Sequence, residues 1–134
     1  MNPELVGEVR RWHRVAREDI KEAERQMQAV ETVPRHPAWL AQQAAEKALK
    51  TVLVFEQIEF PFTHNLDVLH QRIPETWETK AVQADLDRLT EYAVDVRYPG
   101  NWPDLTRDDA QRAVQDARRL VDAVTKDLNS RLGP

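Results

Sequence analysis

Cysteine is absent from this chain, glycine occurs only three times in 134 residues, and apolar residues never run long enough to cross a membrane. Without thiols there is no disulfide framework and no zinc site built on thiolates, a composition that suits a reducing compartment. Scarce glycine beside a charged fraction of 31% points away from loop-rich folds and toward helices with solvated outer faces. Apolar stretches far short of about 18 residues predict no membrane-spanning helix. A preponderance of one charge is missing too: 19 Lys and Arg face 23 Asp and Glu, for a net charge of -4. Mixed charge offers no global positive field to a phosphate backbone, so any nucleic-acid contact must be local. From Met1 to Arg11 acidic residues stand where an export signal needs a basic start and an apolar run. The expectation is a soluble, cytoplasmic protein. The four histidines, at 13, 36, 64 and 70, show no metal-ligand spacing, so neither metal nor cofactor is expected.

What the sequence does contain is helical periodicity. Leu5, Val9, Trp12, Ala16, Ile20, Ala23, Met27 and Val30 recur at spacings of three and four, which sets them in one stripe along a helix. That helix is expected to end near Thr32 to Val33, ahead of Pro34 and Pro37. Pro37 suits the first position of a second helix, and Ala41, Ala45, Ala48, Val52 and Phe55 continue the rhythm to about Gln57. Leu40, Ala44, Leu49, Leu53 and Ile58 widen its apolar arc, so this helix should be central. After a loop holding Phe60 and Phe62, Thr63 or Asn65 can cap a short helix from Leu66 to Ile73. Trp77, Val82, Leu86, Leu89, Ala93 and Val96 predict a third long helix closing by about Arg97, because Tyr98 precedes Pro99. Thr106, Asp108 and Asp109 then start a last helix striped by Ala110, Val114, Ala117, Val121, Val124 and Leu128.

No stretch alternates with a period of two, and there is no repeat or low-complexity segment. The expected fold is all-α: an antiparallel up-and-down bundle of four long helices plus one short helix, a single domain over residues 1–134. Burial of the stripes drives its folding. The alanines of the second helix let neighbours approach closely, and a charge at Ala45 or Ala48 should break the fold.

Three groups of residues are candidates for chemistry. Arg97-Tyr98-Pro99 can simply end a helix, with Arg97 complementing the negative helix terminus. It can also line a polar cleft with Asn101 and Trp102, gripping a phosphate and stacking a base. Gln43, Lys47 and Lys50 fall together on a face of the second helix opposite the core stripe. Two lysines there make either a modest phosphate site or a solvated face with Glu46 as partner. Trp39 and Val54 project to the same side and hint at a subunit contact. His64 and His70 flank the short helix without a nucleophile or carboxylate at a telling spacing, so His64 reads as a loop or capping residue rather than a base.

The order of several segments resembles the stand-alone prokaryotic HEPN domain. These are Gln43 to Lys50 on the second helix, Thr63-His64-Asn65-Leu66 with Leu69, Tyr92 through Arg97-Tyr98-Pro99, and Asp109-Ala110 with Ala117. Together they span residues 5 to 128. The resemblance implies a bundle of four to five helices, a homodimer or higher homo-oligomer, and a minimal nucleotidyltransferase as partner in a toxin-antitoxin arrangement. Many such relatives are ribonucleases that carry Arg, four to six residues, then His. Here Arg97 has no histidine at that distance, and no other arginine has one.

What remains is a non-catalytic subunit that binds a nucleotide or a partner protein, with a phosphate at Arg97, Tyr98 and Asn101, supplemented by Lys47 or Lys50. The alternatives are an RNA-cleaving toxin with a degenerate site, in which Tyr98 or His64 replaces the missing base, and a purely structural oligomerisation subunit.

Overall fold

The structure, a computed structural model, describes residues 1–94, 99–100 and 104–134. Among these residues there are five α-helices and one 3-10 turn, and no strand. Helix α1 spans Pro3–Met27, α2 Arg35–Phe55, α3 Leu66–Gln71, α4 Leu86–Glu91 and α5 Arg107–Leu132, with the 3-10 turn at Glu78–Ala81. The all-α class expected from periodicity is what is observed.

Helix α1 begins where the Asn2 side chain accepts the Glu4 N–H at 2.7 Å and Pro3 needs no partner for its nitrogen. Val9, Ala16, Ile20 and Ala23 are buried along the expected stripe. The helix stops at Met27, five residues before the expected end, and Val30 is exposed. Its open carbonyls explain the early stop. The Arg107 guanidinium donates to the carbonyls of Met27 and Ala29, and the Thr32 hydroxyl donates to that of Gln26. A guanidinium 80 positions away and a hydroxyl six positions on thus satisfy groups that a longer helix would have satisfied internally.

Helix α2 is the centre of the domain, packed by α1, α5, α3 and α4. Ala38, Ala41, Ala44, Ala45 and Ala48 are completely buried, so three helices meet around a line of methyl groups. Lys47 meets Asp19, and Lys50 lies beside Trp12, so α2 runs antiparallel to α1. Arg107 reaches the end of α1, Arg118 pairs with Glu24, and Thr125 meets His13. Helix α5 is therefore also antiparallel to α1, and α2 and α5 run in the same direction. The return path between them is made by short pieces.

Those pieces replace the third long helix. Trp77 is buried as its place in the stripe suggests, but the chain there forms the 3-10 turn, and α4 is only six residues long. The cause is a carboxylate on α5. Asp127 accepts the N–H groups of Glu78 at 3.0 Å and Thr79 at 2.9 Å and the Thr79 hydroxyl at 2.6 Å. Trp77 is clamped as well: its indole N–H donates to Glu56 at 2.8 Å, and the Arg131 guanidinium lies 3.8 Å from a ring centroid. Helix α4 has its own cap, the Asp85 side chain, which accepts the Arg88 N–H at 3.1 Å. Beyond it, the part of the stripe at Val96 lies outside the described residues.

Helix α5 starts as the sequence leads one to expect. Thr106 and Asp109 cap each other, with the Thr106 N–H donating to Asp109 at 2.9 Å and the Asp109 N–H to the Thr106 hydroxyl at 3.1 Å. No helix among the described residues is long and apolar enough to cross a membrane.

Candidate functional site

Of the residues expected to grip a phosphate, Arg97, Tyr98 and Asn101 lie outside the described residues, as does Trp102. Lys47 and Lys50 are described, and the structure corrects their setting. The face of α2 that carries them is not an outer face. Lys50 is buried, with its ammonium 2.9 Å from Oε2 of Glu46, itself only 5% exposed. The rings of Trp12 and Phe60 lie near the same ammonium, at 5.8 and 5.6 Å. Lys47 is half-buried and donates to Asp19 at 3.2 Å and to Gln43 at 2.9 Å. Neither lysine is a spare cation. The wide apolar arc of α2 is covered on more sides than a helical wheel shows, so its polar residues must find partners inside the protein.

The partner that closes this network is His64. Its Nδ1 lies 2.8 Å from Oε1 of Glu46, and because a carboxylate only accepts, Nδ1 carries the proton and donates it. The Gln42 amide donates both to the same Glu46 oxygen and to the His64 carbonyl, each at 3.1 Å. One face of α2 therefore holds the loop before α3 by its backbone and by its imidazole. Asn65 takes the capping role: its side chain accepts the N–H of Asp67 at 3.0 Å. His64 is a loop residue, as expected, but with a carboxylate partner that sequence spacing did not suggest.

Burial pushes the Glu46 carboxyl toward the neutral form. The hydrogen bonds from His64, Lys50 and Gln42 and the Lys50 charge outweigh it and hold the group below the usual carboxylate value. Asp19 goes the other way, raised by burial that Lys47 only partly offsets. On the outer side of His64 the loop is open: its side chain is 53% exposed, and the Phe62 ring, 95% exposed, meets the imidazole edge-on at 5.9 Å. Two signals could have found this site. Gln42, Glu46 and Lys50 are spaced by four, and Phe60 and Phe62 flank the histidine loop.

A second polar group lies between α4 and α5, where a cleft of about 230 Å³ is lined by Arg88, Tyr92, Arg112 and Asp116. Both guanidiniums converge on one oxygen of Asp109, at 3.0 and 2.6 Å. The same carboxylate caps α5, so these arginines are held in place by a helix start. Among the described residues no group of three His, Asp or Glu side chains could hold a metal ion.

The family model for the HEPN domain matches residues 9–128 of the chain. The fold is similar to the crystal structure of an archaeal HEPN homologue, with a TM-score of 0.67 and 26% sequence identity over 88% of this chain and 95% of that one. No protein with a curated description matches significantly.

Proposed function

Because the chain belongs to the HEPN domain family, we propose that it is a non-catalytic, partner-binding helical subunit, assembled as a homo-oligomer and paired with a minimal nucleotidyltransferase in a toxin-antitoxin arrangement. The observation that carries this reading is the fate of the two lysines on α2. Both are paired to carboxylates, Lys47 to Asp19 and Lys50 to Glu46, so this face has little charge left for a phosphate, while Phe62 offers an open apolar ring beside it. The chain also lacks an arginine followed after four to six residues by histidine. A nucleotide, in this reading, meets Arg97, Tyr98 and Asn101 and gains nothing from Lys47 or Lys50.

Co-expression with the nucleotidyltransferase encoded nearest the gene, followed by light scattering on the purified material, tests the pairing. A stable hetero-complex is the expected outcome, and two proteins that elute separately at micromolar concentration would remove the claim. Calorimetry with purine and pyrimidine nucleotides, on the wild type and on Arg97→Ala, tests the ligand.

The Glu46–His64 pair favours a second reading, an RNA-cleaving toxin in which His64 acts as the base. A carboxylate behind an imidazole is how many general bases are oriented. This reading requires RNA cleavage that disappears in both His64→Asn and Arg97→Ala. Intact transcripts after overexpression, without growth arrest, count against it.

A further inference from the structure

We propose that Nε2 of His64 is a phosphoryl-acceptor site, a nucleophile presented to a phosphoryl donor held by another protein. The proposal goes beyond the binding role above and does not depend on it.

The argument starts from the four imidazoles. His13 is buried and its Nε2 is 2.7 Å from the Thr125 hydroxyl. His70 is held at Nε2 by the Lys80 carbonyl at 3.0 Å. At His64 the bonded nitrogen is the other one. Nδ1–H donates to Glu46, which leaves the Nε2 lone pair pointing away from the carboxylate, and among the described residues no hydrogen bond reaches it. An imidazole fixed in this tautomer is a better nucleophile at Nε2, because the carboxylate stabilises the positive charge that bond formation places on the ring.

Electrostatics permit a dianionic group here. Glu46 would repel a phosphoryl group if its charge stood alone, but the Lys50 ammonium 2.9 Å away neutralises it. The pair behind His64 is neutral overall and still accepts the Nδ1 proton. Exposure fits an acceptor better than an enclosing active site: the imidazole is open to solvent, and Phe62 beside it supplies an apolar contact for the donor protein.

The step balances. The Nε2 lone pair forms a bond to the γ-phosphorus of a nucleoside triphosphate, the bond to the bridging oxygen breaks, and its electron pair leaves with the nucleoside diphosphate. The ring becomes an N-phosphoimidazolium whose Nδ1 keeps its proton, still hydrogen-bonded to Glu46. With phosphoramidate as donor the same attack breaks the P–N bond and releases ammonia.

Phosphoramidate is the probe for the test, applied to the full-length protein and followed by mass spectrometry and phosphorus NMR. His36 is the internal reference, since the described residues give its ring no carboxylate partner. The expected result is one acid-labile phosphoryl group on Nε2 of His64, formed roughly tenfold faster than on His36, which corresponds to about 1.4 kcal/mol off the barrier. Glu46→Gln, confirmed as folded by circular dichroism, should remove most of that advantage. The comparison within the wild type needs no variant. Equal labelling of His36 and His64, labelling at Nδ1, no labelling, or a folded Glu46→Gln protein that reacts as fast as wild type would each overturn the proposal.

Discussion

Asp127, near the end of the last helix, accepts three hydrogen bonds from Glu78 and Thr79, residues almost fifty positions earlier. The two backbone N–H groups it takes are ones that a helix start would otherwise leave open. One buried carboxylate thereby determines that the chain after Trp77 makes a single 3-10 turn against α5.

Removing that carboxylate leaves two backbone donors and a hydroxyl buried without partners. Asp127→Ala should cost about 3 kcal/mol of stability, in the range for losing charge-assisted hydrogen bonds in a protein interior. Urea denaturation measures it. A loss under about 1 kcal/mol would mean that water replaces Asp127 easily.

Breaking the buried pair on α2 from one side should cost more than removing it whole. Glu46→Leu strands the Lys50 ammonium and should destabilise the protein by about 3–5 kcal/mol, whereas Glu46→Leu with Lys50→Met should recover most of that loss. Denaturant midpoints of the two single variants and the double variant give the coupling directly. Strict additivity would show that the two side chains do not depend on each other.

Acid should weaken the fold in two stages. The Thr125 hydroxyl donates to the Val121 carbonyl at 2.9 Å, so its oxygen accepts from Nε2–H of His13 and fixes the orientation of that imidazole. Burial, with Arg17 and Arg10 nearby, pushes the His13 pKa down from 6.5 to about 4. The unfolded chain then binds a proton that the folded one refuses. Stability is full above the ordinary histidine value and falls as pH drops from about 6.5 to about 4, by at most about 3 kcal/mol. Glu46, held below its ordinary value of 4.5, adds a second loss only at more acidic pH. Thermal melts across this range should slope for the wild type and flatten between neutral and mildly acidic pH for His13→Gln. Parallel slopes would show that other groups cause the loss.

The alanine line of α2 tolerates no charge. Ala45→Asp or Ala48→Asp sets a carboxylate where α2 is completely buried, and either should abolish cooperative unfolding at ordinary temperature. Circular dichroism on the purified variants reads the outcome. A sharp, wild-type-like melt would mean that the packing around α2 can open.

Helices α1, α2 and α5 were legible because each buries a stripe whose period belongs to the helix itself, and because the Thr106–Asp109 pair acts within a turn of the end it starts. Pro37 was not the start it was expected to be: α2 begins at Arg35, two residues earlier, and Pro37 sits inside its first turn, where a missing N–H is equally harmless. The stripe from Trp77 to Leu89 has the same period and misleads. It records which side chains face inward, and Trp77 and Leu89 do, yet inward-facing side chains place no requirement on the backbone between them. The lysines of α2 misled for a related reason. A helical wheel separates polar from apolar residues but does not count the neighbours, and α2 has enough of them to bury Glu46 and Lys50 along with the alanines.

Local order in the chain was thus sufficient for the class of fold, for four of the five helices, the short α3 with its Asn65 cap included, and for the family resemblance, since all of these arise from contacts within a few residues or from motifs that keep their order. The pairing of Glu46 with His64, the clamp of Asp127 on Thr79 and the engagement of Lys47 with Asp19 arose from folding alone. Each joins groups 18 to 48 positions apart, and the desolvation that makes such a bond necessary exists only once the helices have closed around it.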